Sequence, residues 1–449
     1  MSRITCKPLI LSFFFLCLTA LAVAQPKDNS PFSQFGLGDF LETDLPSSHG
    51  MGGLSSVYHD FFEANLENPA SLGFLQYTSL QIGMYAKRAV IKRFDDKQTV
   101  WSGNLDHISL NIPLINPLNE ALERRETKFS WGTSVSLRPY TQVGYHIQIN
   151  DSLPNFGDVE RVFTGSGGLF NLTWGNGIKY KNLSAGINLG YIYGKQNFEQ
   201  QTEFPDIETA YSDIFQSTIA YKGFNYRVGV LYEQPLDLKE AREKEDNPTK
   251  LLSIGAFAGG QTTLDTKSDI AQIAILSIQN TIIDVDTSLF ETDLEGESIM
   301  PGTWGIGLMY RQAGKFRVGI DYQGAEWSNY INPARPAAMS EMKDSYRVGA
   351  GVSWIPDANA ITSYFKRVEY RAGFYTMTDP RVIDGEQVKA SALTVGAGFP
   401  LILQRNIAWV QVGLDIGKRT GGNLSDNFIR GKVGLILNDN SWFIKGKYN

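Results

Sequence analysis

The residue types that usually perform chemistry are sparse and scattered in this 449-residue chain. Four histidines, His49, His59, His107 and His146, lie far apart with no cysteine near any of them, so no zinc-like ligand spacing arises. The glycines of "TGSGGLF", Gly165 to Gly168, lack the lysine and the helix of a phosphate loop. A strand entering a tight, small-residue region accounts for them. Acids gather in "DVDTSLFETDLEGE", Asp284 to Glu297, but the glycine of a calcium loop is missing from its place, which leaves a solvated acidic loop. No G-x-S-x-G elbow occurs. The expectation is a protein without catalytic residues, resident metal or cofactor.

Three arginines remain. Arg317, Arg347 and Arg371 share a strand face with Asp321 and Glu369. Two readings fit: a charge ladder that fills and stiffens a polar interior, or a site for an anionic headgroup, since guanidinium offers forked donors that suit carboxylate. Either reading requires a closed wall to carry the arginines inward.

The N-terminus reads as an export leader over residues 1–24. Arg3 and Lys7 precede an apolar run from Leu9 to Ala20, and Ala22-Val23-Ala24 offers small residues for cleavage before Gln25. That run is short of the roughly 20 residues a spanning helix needs, and no other segment comes closer. Both cysteines, Cys6 and Cys17, fall inside the leader, so the mature chain has no disulfide to brace it. Loss of Arg3 and Lys7 moves the net charge from −6 to −8, which argues against nucleic acid as a partner.

From about residue 79 to 438 the dominant signal is alternation with period two, which sends successive side chains to opposite faces of a strand. Phe129, Trp131, Thr133, Val135 and Leu137 oppose Ser130, Gly132, Ser134, Ser136 and Arg138; Phe316, Val318, Ile320 and Tyr322 oppose Arg317, Gly319, Asp321 and Gln323. Strands of ten or more residues exceed the usual five or six and match a tilted membrane strand. Aromatics near strand ends, including Trp131, Tyr322, Trp327, Tyr346 and Trp354, match the girdles of an outer-membrane barrel. The fold predicted is all-β: a 14-stranded antiparallel transmembrane barrel. The even count treats 127–150 as one strand bent at Arg138-Pro139; a break there would give fifteen, and bacterial barrels favour even numbers.

Short turns such as Lys181-Asn182 are assigned to the periplasmic side, and long polar loops at 195–210, 264–301 and 328–343 to the outside. Residues 115–126 and 234–249 are long, charged connections at periplasmic turns, read as short helices. Residues 439–449 read as a tail or as the closing strand.

Before the first strand stands "GMGGLSSVYHDFFEANLENPASLGFLQ", with glycines at 50, 52 and 53 and then Asn68-Pro69-Ala70. This stretch, together with "KDSYRVGAGVSWIPD" and "YRAGFYTMTDP" from Lys343 and Tyr370, resembles the FadL-type outer-membrane transporters of long-chain fatty acids and hydrophobic compounds. The resemblance implies that residues 25–78 form an N-terminal hatch in the lumen, that Asn68, Pro69, Ala70 and Pro139 shape a lateral gate at the bent third strand, and that an apolar cargo leaves sideways into the membrane. Sideways release avoids exposing each CH₂ to water, worth about 0.8 kcal/mol. "SPFSQFGLGDF" and the terminal "WFIKGKY" are more similar to a Bacteroidota branch. FadL-like barrels there also serve as accessory subunits of larger outer-membrane machines, so the partners expected are outer-membrane lipid, a hydrophobic small molecule and a larger complex.

Overall fold

The computed structural model describes residues 30–439 apart from 43, 95, 116–128, 155–156, 208, 239–247, 279–280, 336–341 and 404–405. The leader, the terminal tail and most of the two charged connections read as helices lie outside the described residues.

Successive strands pair antiparallel: β1 (Thr78–Arg93), β2 (Asp96–Ile115), β3 (Phe129–Leu153), β4 (Gly157–Tyr180), β5 (Leu183–Glu203) and β6 (Tyr211–Pro235). β7 consists of two pieces, Lys250–Gly259 and Thr262–Ile278, both paired with β6. β8 is likewise Thr281–Met300 followed by Thr303–Gln312, each piece facing its counterpart in β7. β9 (Phe316–Ala325), β10 (Ser345–Trp354), β11 (Glu369–Ile383), β12 (Glu386–Leu403), β13 (Asn406–Gly421) and β14 (Leu424–Asp439) complete the ring. β14 then pairs with β1 from Leu424–Arg93 to Asp439–Thr78. The result is a closed barrel of 14 strands, in which backbone groups facing lipid find partners between strands. β3 runs unbroken through Pro139, with a slip in its register to β4 between Pro139 and Thr141.

The alternation read from sequence maps onto lipid and lumen. Trp131, Val135, Ile320, Tyr370 and Phe374 are exposed on the outside, whereas Ser130, Ser134, Arg138, Asp321, Glu369 and Arg371 are buried inside. Trp354 and Tyr370 mark one rim, and Trp304, Tyr322 and Tyr346 the other. Tyr346 to Trp354 along β10 is eight steps, about 26 Å of extended strand, the height of an outer-membrane apolar band.

Two sequence expectations are corrected. Within 264–301 the stretches 264–278 and 281–300 are strand, not loop, as is most of 195–210: β5 continues to Glu203, and the upper pieces of β7 and β8 form one long hairpin. With their neighbours β3, β4 and β6 they stand far above the Trp304 rim as a tall wall. The outer face of such a wall meets water and its inner face mixes Thr266 and Ser268 with Leu264 and Ile270, so hydropathy stops alternating although the strand continues. Trp327 does not join a girdle. It is buried among Leu37, Ile219, Tyr330 and Leu264.

Residues 30–77 run within the ring as a largely irregular inner segment, with short helical turns at Pro31–Gln34, Pro46–His49 and Pro69–Phe74. Inward glycines make room for its backbone. A Cβ at Gly177 or Gly186 would strike Pro69, one at Gly351 would strike Met51, and one at Gly373 would strike Met51 and Gly52. Gly52 and Gly53 themselves adopt positive φ, +75° and +74°, which favours glycine.

Candidate lateral gate and outer chamber

Asn68 begins the turn that carries Pro69 and Ala70. Its Oδ1 accepts from the Ala70 amide at 3.0 Å, and its Nδ2 donates to the Ser56, Val230 and Ala256 carbonyls. The Ser184 hydroxyl on β5 donates to the Ala70 carbonyl at 2.5 Å. The Asn-Pro-Ala triplet therefore docks on the β4–β7 side of the lumen. Just beyond it, Glu67 receives Arg138 of β3 and Arg227 of β6, each at 2.5 Å. Arg138 is the residue before Pro139, so the bend and the inner segment are tied through one buried carboxylate.

At Pro139 the wall changes. The β2–β3 ladder runs from Ile115–Trp131 to Ile108–Leu137 and stops there. Above it, among the described residues, β2 pairs only with β1, and β3 only with β4 and the inner segment. The inner segment covers part of this seam: Asp39 and Phe40 pair with Gln142 and Thr141 as a short strand, the Ser30 amide donates to the Gly144 carbonyl at 2.8 Å, and the Leu41 amide donates to the Tyr140 carbonyl at 3.3 Å. Gln142 bridges to the other side, accepting from the Tyr85 hydroxyl at 3.3 Å and from Asn104 Nδ2 at 3.2 Å.

Above the seam the tall wall encloses a cavity of about 770 Å³. Phe35, Tyr145, Phe163, Phe198, Phe215 and Ile270 line it, one from the inner segment and one from each of five strands. Arg335 seals its floor, stacked 3.7 Å from the Phe198 ring centroid and donating to the Gln34 and Gly36 carbonyls. Beneath lies a packed apolar layer of Leu37, Leu169, Ile219, Trp327 and Tyr330, which reaches Phe40 and Tyr140 at the seam. Phe40 stacks between them, 4.5 Å from Trp327 and 6.3 Å from Tyr140. Apolar surface thus continues from the chamber to the interrupted ladder, and it is filled.

The lower lumen is charged. Arg317 Nη2 meets Asp60 at 2.7 Å; Arg347 meets Glu42 at 3.5 Å and Asp44 at 3.9 Å; Arg371 Nη2 meets Glu369 at 2.6 Å. The three arginines are brought to one half of the wall, and two of them bind carboxylates of the inner segment. Sequence parity placed all three inside, with Glu369, the partner of Arg371, two residues away on the same face; it held no sign of Asp60, Glu42 and Asp44, the partners of Arg317 and Arg347, which lie hundreds of residues away.

His49 is the centre of a second buried network. Its Nδ1 lies 2.7 Å from Asp44 and its Nε2 3.1 Å from Asp415, so only the doubly protonated ring donates to both. Burial alone would lower its pKa, but Asp44 and Asp415 outweigh it and hold the pKa above the ordinary histidine value. Glu42, Asp44 and His49 offer ligand atoms within 4.8 Å of one another. Arg347, Arg430 and Lys432 already stand on those carboxylates, so side-chain cations fill the electrostatic role an ion would have. Glu63 is buried in the inner segment, and burial, with Asp60 and Glu369 nearby, pushes its pKa up to about 7. Burial lowers the pKa of His59 despite its 2.8 Å contact with Glu233.

A closed 14-strand barrel of this kind, apolar outside and rimmed with aromatics, defines the class of outer-membrane β-barrels. Solved structures of similar fold include the Pseudomonas putida toluene transporter TodX (15% identity, TM-score 0.55, 89% of this chain and 99% of that one). The CymD monoaromatic hydrocarbon channel (14%, 0.53, 90% and 99%) and a Pseudomonas aeruginosa FadL homologue (10%, 0.53, 90% and 99%) are also similar. At such identities the likeness is one of fold. No curated protein matches the sequence. Residues 6–449 match the BamG family, and the chain belongs to it.

Proposed function

We propose that the protein is a gated outer-membrane channel that takes an apolar small molecule into the aromatic chamber and releases it sideways into lipid at the β2–β3 seam. The observation that carries this reading is the end of the β2–β3 ladder at Ile108–Leu137, where the apolar layer below the chamber reaches the wall. The names of the similar structures, a toluene transporter and a monoaromatic hydrocarbon channel, favour cargo of that class. On this reading residues 25–78 are the hatch, Asn68, Pro69 and Ala70 seat it, and Pro139 ends the ladder. A carboxylate headgroup would reach Arg317, Arg347 or Arg371 by displacing Asp60, Glu42, Asp44 or Glu369, so a neutral cargo fits with less rearrangement.

The mature chain has no cysteine, which makes the test clean. Asn104→Cys with Gln142→Cys, joined across the seam by a cleavable bis-maleimide, should slow uptake of labelled toluene into proteoliposomes towards that of protein-free vesicles. Cleavage should restore it. Equal uptake with the seam locked and unlocked would sink lateral release, and uptake no faster than in protein-free vesicles would sink the channel.

A second reading is favoured by the density of buried ion pairs that fix the inner segment, among them Glu67 with Arg138 and Arg227, Asp60 with Arg317 and Asp44 with Lys432. Breaking one buried pair costs roughly 3–5 kcal/mol, so a hatch held by several suits a static barrel that serves as an accessory subunit of a larger outer-membrane complex. Native mass spectrometry of the gently extracted protein separates the two: a larger partner at fixed ratio supports the subunit, and a retained apolar molecule supports the channel.

A further inference from the structure

The tall wall has two rims, and among the described residues only one is covered. On the β3 rim, Asp39 and Phe40 add as a short strand, with the Ser30 amide on Gly144 above them. The opposite rim is the upper piece of β8, Thr281–Met300. It pairs with β7 on one side. On the other side β9 pairs only with the lower piece, Thr303–Gln312, and among the described residues the single backbone contact is the Ile299–Ile331 bridge at the foot. From there to Thr281 the strand presents a backbone edge unpaired among the described residues, above the Trp304 rim, in water rather than lipid.

A bare edge is a template for strand addition, and chains usually guard it. This one carries three register shifts, between Ile282 and Asp284, Thr287 and Leu289, and Glu291 and Leu294. It also carries Asp284, Asp286, Glu291, Asp293, Glu295 and Glu297. Lys267, 2.7 Å from Asp293, pairs with one of these six acids. Two such edges would repel each other, which disfavours a second copy. Exposed apolar side chains lie beside and between the acids, with Ile283 at 57%, Val285 at 52% and Phe290 at 71% accessibility.

We propose that the edge from Asp284 to Glu297 docks an extended, lysine- or arginine-rich segment of a partner protein as an added strand. Backbone hydrogen bonds supply the pairing, the acids select a basic partner, and Ile283, Val285 and Phe290 take its alternate side chains. The inference does not rest on passage of small molecules, so it stands or fails apart from the channel reading.

The test uses the full-length protein in nanodiscs and an alternating lysine-threonine dodecapeptide. Two controls accompany it: its glutamate-threonine counterpart, and the lysine peptide with alternate amides N-methylated, which keeps the charge and blocks strand pairing. Hydrogen exchange should show added protection confined to 284–297 with the lysine peptide and with neither control. Asp286→Asn, Glu295→Gln and Glu297→Gln together should weaken its binding at least about tenfold at low salt. Equal binding of the N-methylated peptide, absence of protection at 284–297, or protection of those amides by self-association of the protein alone would each overturn the proposal.

Discussion

Glu63 shows what one buried group does to a plugged barrel. Its folded pKa, about 7, lies above the 4.5 of a free glutamate, so the folded state keeps a proton that the unfolded chain releases. The sign follows by linkage: stability is unaffected below about pH 4.5, falls as pH rises towards 7, and stays reduced above it. At 1.36 kcal/mol per unit the loss is on the order of 3 kcal/mol. Glu63→Gln should therefore be more stable than the parent at pH 8 and equal to it at pH 4.5, read as denaturant midpoints in lipid or detergent. Parallel pH profiles for the two proteins would show that Glu63 ionises freely. His49 acts in the same direction. Its raised pKa gives stability that is full below its ordinary value and lost as pH rises through the folded one.

At the scale of elements, the inner segment is held as much by missing side chains as by charges. Gly351 on β10 faces the Met51 backbone so closely that any Cβ must displace it. Gly351→Val should cost about 3 kcal/mol and open residues 50–53 to limited proteolysis. Gly431→Ala, whose Cβ would meet nothing nearer than 4.0 Å, should be silent. Equal protease resistance in both variants would mean that the segment does not depend on that groove. The β3 bend belongs to the same scale. Proline at 139 withholds a donor, and the chain ends the β2 ladder two residues earlier and offers β3 a new partner, Asp39–Phe40.

For the whole molecule, the lumen is polar, and its charges are balanced partly from within. Removing residues 30–77 would leave Arg138, Arg227, Arg317 and Arg347 without the carboxylates they now face. A barrel so emptied should conduct ions in planar bilayers with anion preference, while the complete chain stays silent. Cation preference in the deletion variant would mean that wall acids, not these arginines, set the lumen potential.

The sequence by itself determined the barrel, its even strand count, the single bent strand through Pro139, and which residues face lipid or lumen. All of these follow from a period of two, which the apolar band enforces wherever one face meets lipid. It also placed Arg317, Arg347 and Arg371 inside and marked Asn68-Pro69-Ala70 as a special turn. The tertiary structure decided the rest, because parity fixes a side chain's face and not its partner. Asp60 reaches Arg317, Asp44 reaches His49 and Lys432, and Gln142 bridges the seam only once the ring has closed. The tall wall was hidden for a related reason: above the membrane the outer face is wet and the inner face mixes polar with apolar residues, the alternation fades, and strand is written with the same residues as loop.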